Sequence, residues 1–217
     1  LVHGLCAGAW CWEQLTSHLE AAGHDVVAVD LPCEDPEARF TDYAAVVHDA
    51  LRSANEEVVL VGHSAGGLTI PLVAARRPVR ELVFLCALIP EPGKPEGFEF
   101  RVGDPSEWMA PNEDGSFSVR PEAFASHVAQ DVDPTLALDA GARLRRQFLA
   151  PFAEPCPLAS MPDVACRYVL CREDRIVSPD WSRRVARERL GVDPMELPGS
   201  HSPMASRPRE LADLLLS

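Results

Sequence analysis

Short apolar runs alternate along this chain with stretches whose apolar residues recur at helical spacing. Leu1-Val2 reads as the end of a strand, followed by a loop through Gly4 and Gly8. Residues 12–22 put Leu15 and Leu19 on one face and stop at Gly23, the signature of a short amphipathic helix. DVVAVD at 25–30 predicts a strand and 41–54 a helix. EVVLV at 57–61 predicts a strand whose near-continuous apolar run suits a sheet covered on both faces. A helix over 65–76 and the strand ELVFLCA over 81–87 come next. After residue 162 the rhythm resumes with strand CRYVLC (166–171), helix 179–190, strand 193–197 and helix 207–216.

This order predicts an α/β fold, a mostly parallel sheet with helices on both faces. Residues 90–162 break the rhythm with several Gly and Pro and the patterns of two or three short helices, among them 121–129 and 134–148. So long an interruption exceeds an ordinary connection. It reads as a helical cap, with 1–89 and 163–217 forming the core beneath it. A cap would cover the C-terminal edge of the strands, where open α/β sheets bind ligands. The N-terminal strand reads as truncated, since Leu1-Val2-His3 looks like the end of a longer run.

The chemistry centres on Gly62-His63-Ser64-Ala65-Gly66-Gly67, which follows an apolar strand and precedes a helix. In that setting GxSxG describes a nucleophile elbow. The turn strains the serine backbone and lifts its hydroxyl clear of the sheet, and glycine on either side removes Cβ atoms that would collide with crossing chain. A serine hydroxyl needs a base. His201 is the best placed of seven histidines, in the loop PGSHS between the last strand and the last helix. His18, His24, His48 and His127 fall on predicted helices or their ends. His63 is expected to point away from Ser64 and to pack or hydrogen-bond, and His3 to prop the loop after the first strand.

The base needs a carboxylate to hold its tautomer. Asp174 lies just past the strand CRYVLC, with Glu173 as its nearest competitor; Asp163 precedes that strand, at the wrong edge, and Asp30 reads as a turn residue. The backbone amides of Leu5 and Ala65 are the expected oxyanion donors.

Together LVHGLCAGAWCW, the strand VVAVDLP, the elbow VGHSAGG, REDRIVSP and the terminal GSHSPMASRPRELADLL resemble the α/β-hydrolase superfamily, in particular the branch of plant methyl esterases and hydroxynitrile lyases. The resemblance spans nearly the whole chain and is weak between 91 and 162. It implies Ser64, Asp174 and His201 as a catalytic triad. Hydroxynitrile lyases of that branch carry a lysine directly after the catalytic histidine, whereas Ser202 stands here. The departure favours an ester hydrolase acting through an acyl-enzyme. Thioester or lactone hydrolysis in a biosynthetic pathway, lyase chemistry and a silent ligand-binding protein are the alternatives.

Composition narrows the partners. A net charge of -13 repels nucleic acid and acidic membranes, and no apolar run is long enough to span a bilayer. The expected partner is a small molecule, with the chain a monomer or homodimer. Seven cysteines follow no zinc spacing and read as free thiols of a reducing, cytoplasmic compartment. No metal or cofactor is expected. Aromatic residues are only 6% of the chain, yet Phe98, Phe100, Trp108, Phe117, Phe124, Phe148 and Phe152 all fall in the cap. Trp108, Phe98, Phe148 and Phe152 are the candidates for an apolar substrate pocket.

Overall fold

The computed structural model describes residues 1–54, 58–97 and 102–217. Among these residues four parallel strands form the main sheet, in the order β1 (Val59–His63), β2 (Glu81–Leu85), β5 (Ala165–Cys171) and β6 (Met195–Leu197). Their register pairs Val59 with Glu81, Glu81 with Ala165 and Val169 with Met195. Beyond β1 lies Val2, which bridges Gly62 on one side and Val29 on the other, both in parallel sense.

Side chains of period two divide the core between the two faces of this sheet. Leu60, Leu82, Phe84, Tyr168 and Leu170 belong to one buried cluster. It also holds Tyr43 and Val47 of α2 (Phe40–Ala50), Ile70 and Val73 of α3 (Ile70–Ala74), and Trp181 and Val185 of α7 (Pro179–Val185). Their neighbours Val61, Val83, Leu85 and Val169 point the other way, to Leu15 and Leu19 of α1 (Glu13–Ala21) and Leu211 of α8 (Pro208–Leu216). Each fully buried large side chain, such as Phe84 or Leu85, contributes roughly 1.5–3 kcal/mol. The expected fold class, a mostly parallel sheet covered on both faces, is the one observed.

Several element boundaries differ from the sequence pattern for identifiable reasons. The strand expected over 25–30 is reduced to the bridge at Val29, which pairs with Val2 and whose amide donates to the Leu1 carbonyl. The helix expected over 65–76 begins as a 3-10 turn, Ser64–Leu68, before α3 starts. Pro71 has no amide to bond back four residues, so the α-helical ladder restarts around it. β2 stops at Leu85 because Cys86 takes a left-handed φ of 46°. The start of the strand expected at 57, together with Phe98 and Phe100, lies outside the described residues.

Between β2 and β5 the chain forms a hairpin that the pattern did not predict, β3 (Met109–Pro111) against β4 (Phe117–Val119). The short helices α4 (Pro121–Ala123), α5 (Pro134–Ala142) and α6 (Ala150–Ala153) follow. α5 starts on Asp133, whose carboxylate accepts the amides of Thr135 and Leu136. It ends at Ala142 instead of 148 because tertiary acceptors take over the later amides. Arg145 N–H donates to the Cys6 carbonyl and Gln147 N–H to the Phe117 carbonyl.

The C-terminal ends of Val2, β1, β2, β5 and β6 share one edge, and the chain crossings there are close. A Cβ on Gly66 would lie 2.5 Å from the Val2 carbonyl oxygen and 2.7 Å from that of His3. Both obstacles are backbone atoms of the strand alongside β1. Gly66→Ala is therefore expected to destabilise the protein by about 2–3 kcal/mol, seen as a lower urea midpoint at unchanged slope. An unshifted midpoint would show that the crossing gives way easily.

Candidate active site

Ser64 follows β1 at φ 52°, a left-handed conformation that costs strain for a side chain with a Cβ. The loop after Val2 passes directly over it. A Cβ on Gly4 would lie 2.6 Å from Ser64 Cβ and 3.2 Å from its Oγ, so glycine is required for this approach. Beside Gly4, the Leu5 amide has no acceptor among the described residues. His3 props this loop: its Nε2 accepts from the Leu31 amide (3.0 Å) and its Nδ1–H donates to the Gly4 carbonyl (2.7 Å). These partners fix the tautomer, and burial pushes its pKa down to about 4, keeping the ring neutral.

Asp174 stands three residues beyond β5, and His201 four residues beyond β6. Asp174 Oδ2 accepts from His201 Nδ1 at 2.7 Å, with side-chain exposures of 3% and 4%. Asp174 Oδ1 accepts the amides of Ile176 (2.8 Å) and Val177 (2.9 Å), which fixes the carboxylate plane. With Nδ1 donating, His201 Nε2 keeps its lone pair. The competitor Glu173 is exposed and accepts instead from the Gly199 amide, holding the loop that carries His201. Asp163 is also exposed, and Asp30 holds the loop after Val2 by accepting from the Ala9 amide (2.8 Å).

His63 does more than its place in the sequence suggested. Its Nε2–H donates to the His201 carbonyl (2.8 Å), and the two rings lie 4.6 Å apart. Burial, then the neighbouring His201, holds its pKa well below the usual imidazole range. A neutral ring thus steadies the His201 loop without placing a second charge beside it. His18, His24, His48 and His127 do not line the site.

Cys86 Sγ, Asp174 and His201 offer donor atoms within 4.8 Å of one another. They suit a metal poorly. Asp174 and His201 are engaged with each other, and burial pushes the Cys86 thiol up, so it stays protonated.

Residues 1–214 match the family model of the alpha/beta hydrolase family. The chain belongs to the alpha/beta hydrolase family. This hydrolase is 29% identical over 245 residues to methylesterase 7 of Arabidopsis thaliana, covering all of this chain and 94% of the relative. It is 28% identical over 248 residues to polyneuridine aldehyde esterase of Rauvolfia serpentina, covering all of this chain and 93% of that one. The crystal structure of polyneuridine aldehyde esterase superposes with a TM-score of 0.83 at 26% identity, over 99% of this chain and 96% of the other. The likeness to plant methyl esterases read from the motifs is borne out.

In this alpha/beta hydrolase, Ser64 and His201 both line a cavity of about 350 Å³. Leu5, His63 and Ser202 share its wall, and residues between β2 and β5 close it, among them Trp108, Val119, Phe124 and Leu136. Two of the expected pocket residues lie elsewhere. Phe152 packs edge-on to Phe40 at 5.2 Å in the core against α2, and Phe148 sits where its amide bonds the Cys33 carbonyl. The burial of Phe152 fastens the inserted segment to the helices on that face of the sheet, whereas Phe148 is half-buried outside the cavity wall. The charged rim was not expected: Arg143 at the end of α5 binds Glu13 of α1 with both Nη atoms (3.2 and 2.6 Å) over the Trp10 ring. Only the acidic residue at the helix start hinted at a partner there.

Proposed function

We propose that this protein hydrolyses a small or medium-sized apolar carboxylic ester through an acyl-enzyme on Ser64. The observation that carries the reading is the 2.7 Å contact between His201 Nδ1 and Asp174, which leaves Nε2 free at a cavity that Ser64 also lines. In the first step Ser64 Oγ attacks the ester carbonyl while His201 Nε2 takes its proton. Asp174 stabilises the imidazolium. The amides of Leu5 and Ala65 receive the oxyanion, a contribution of roughly 3–4 kcal/mol per donor. Collapse expels the alkoxide, which leaves as alcohol with the proton from His201. Water then gives its proton to His201 and attacks the acyl carbon, releasing the acid and restoring the serine.

Residues 90–162 act as the cap in this reading, and the apolar side chains of Trp108, Val119, Phe124 and Leu136 around the cavity favour an apolar group on the ester. The names of the esterase relatives support ester over amide. Ser202 offers no cation beside His201, which counts against cyanohydrin cleavage. All seven cysteines are free, which supports a reducing, cytoplasmic setting. Among the described residues no helix is long and apolar enough to cross a membrane.

The test pairs covalent labelling with a substrate panel. A fluorophosphonate is expected to modify one serine per chain, and p-nitrophenyl butyrate to be cleaved faster than matched thioesters and lactones. Intact protein that resists the label overturns the acyl-enzyme. A labelled protein that prefers thioesters or lactones keeps the mechanism and changes the substrate.

A further inference from the structure

The loop that carries the Leu5 amide is held from outside the sheet by one residue of the inserted segment. Arg145 lies three residues beyond α5 and does not line the cavity. Its backbone N–H donates to the Cys6 carbonyl at 2.7 Å. Cys6 sits at φ 59°, a conformation that a non-glycine residue keeps only where its surroundings impose it. The Arg145 side chain is three-quarters buried and reaches further under the loop. Nη1 donates to the Leu31 carbonyl (3.0 Å), and Nε and Nη2 donate to Glu34 (3.2 and 3.1 Å). Nη1 is also 3.7 Å from Asp30 Oδ1, the acceptor of the Ala9 amide.

Leu31 passes this hold on to the loop. Its own N–H donates to His3 Nε2, and His3 Nδ1–H donates to the Gly4 carbonyl. The Gly4 carbonyl and the Leu5 N–H are two ends of one planar peptide unit. A hydrogen bond that orients the carbonyl also orients the amide, and donation to the carbonyl polarises the amide as a donor. Arg145 therefore grips that peptide on both flanks, directly at Cys6 and through Leu31 and His3 at Gly4.

We propose that Arg145 is a positioning residue for the oxyanion hole, coupling the seating of the inserted segment to the aim of the Leu5 amide. The inference rests on the acyl-enzyme reading, in which that amide meets the oxyanion. It predicts a defect confined to the transition state, because ground-state substrate makes little use of a donor aimed at the tetrahedral oxygen.

The experiment compares Arg145→Met, Arg145→Lys and, as control, Arg146→Met, whose guanidinium meets Asp114 at the surface. Arg145→Met is expected to lower kcat about 10- to 100-fold with KM within about twofold, a range set by the effect of misaimed groups. Its affinity for a trifluoromethyl ketone, which forms an anionic adduct with serine, should fall in the same proportion. Affinity for the matching secondary alcohol, which forms no adduct, should not move. Arg145→Lys should recover only part of the loss, since an ammonium cannot fork between the Leu31 carbonyl and Glu34. If Arg145→Met does not fold, Glu34→Gln should show the same selective loss at a few-fold size. Wild-type kcat and ketone affinity in these variants, or equal loss of ketone and alcohol binding, overturns the proposal alone. A wild-type protein that turns over no ester overturns the acyl-enzyme reading and this inference with it.

Discussion

Ser64→Ala is expected to lower kcat by about 10⁶-fold and to abolish fluorophosphonate labelling. The alanine keeps the Cβ, so it inherits the elbow at φ 52° and the close contact with Gly4. Thermal stability should change little, because only one hydroxyl at a cavity wall is removed. The pairing of His201 with Asp174 survives the change, yet an imidazole poised to take a proton has no nucleophile to activate. His201→Ala should cost about as much, since an unassisted serine hydroxyl is a poor nucleophile near neutral pH. The double variant Ser64→Ala/His201→Ala should be no slower than either single one, as expected for groups acting in one step. On the acyl-enzyme reading, the residual rate belongs to binding and the oxyanion donors. Multiplying effects in the double variant would show that the two residues serve separate steps, and undiminished labelling of Ser64→Ala would move the nucleophile elsewhere.

The elbow was legible in the sequence because its requirements are local. A tight turn after a buried strand needs glycine at Gly62 and Gly66, and nothing distant is needed to read that. Asp174 and His201 were legible for a related reason: each lies a few residues past a strand whose apolar run marks its end, and parallel strands deliver those ends to one edge. The sheet's two faces were legible from the near-continuous apolar runs alone. The hairpin Met109–Pro111 with Phe117–Val119 was not, because three residues are too few to display an alternation. The aromatic count in 90–162 misled for Phe152 because burying a large ring against α2 and lining a cavity demand the same residue type. The hold of Arg145 on Leu31 joins residues 114 apart, and no local pattern encodes it. Asp174 had a local signal that could have separated it further from Glu173. A carboxylate followed by amides two and three residues later is the spacing of an Asx turn, and Ile176 and Val177 supply those amides.

The same two amides determine what Asp174→Asn will do. An asparagine side chain has one acceptor and one donor where the carboxylate has two acceptors. Ile176 and Val177 both donate to one side of residue 174, so the carboxamide oxygen must face them. The NH₂ group then faces His201 Nδ1. Two donors cannot share that 2.7 Å contact, so the imidazole proton moves to Nε2 and Nδ1 becomes the acceptor. With Nε2 protonated, His201 no longer accepts the proton of Ser64. Asp174→Asn is thus expected to lower kcat about 10⁴-fold at neutral pH, by inverting a tautomer and leaving the shape of the site intact. Because size and both backbone contacts are kept, the thermal midpoint should move little. Glu173→Gln offers the contrast, since its carboxamide oxygen can still accept the Gly199 amide, and its loss should stay under about tenfold. If Asp174→Asn keeps kcat within tenfold of wild type while Glu173→Gln falls a thousandfold, the orienting role passes to Glu173, and the buried 2.7 Å contact is structural.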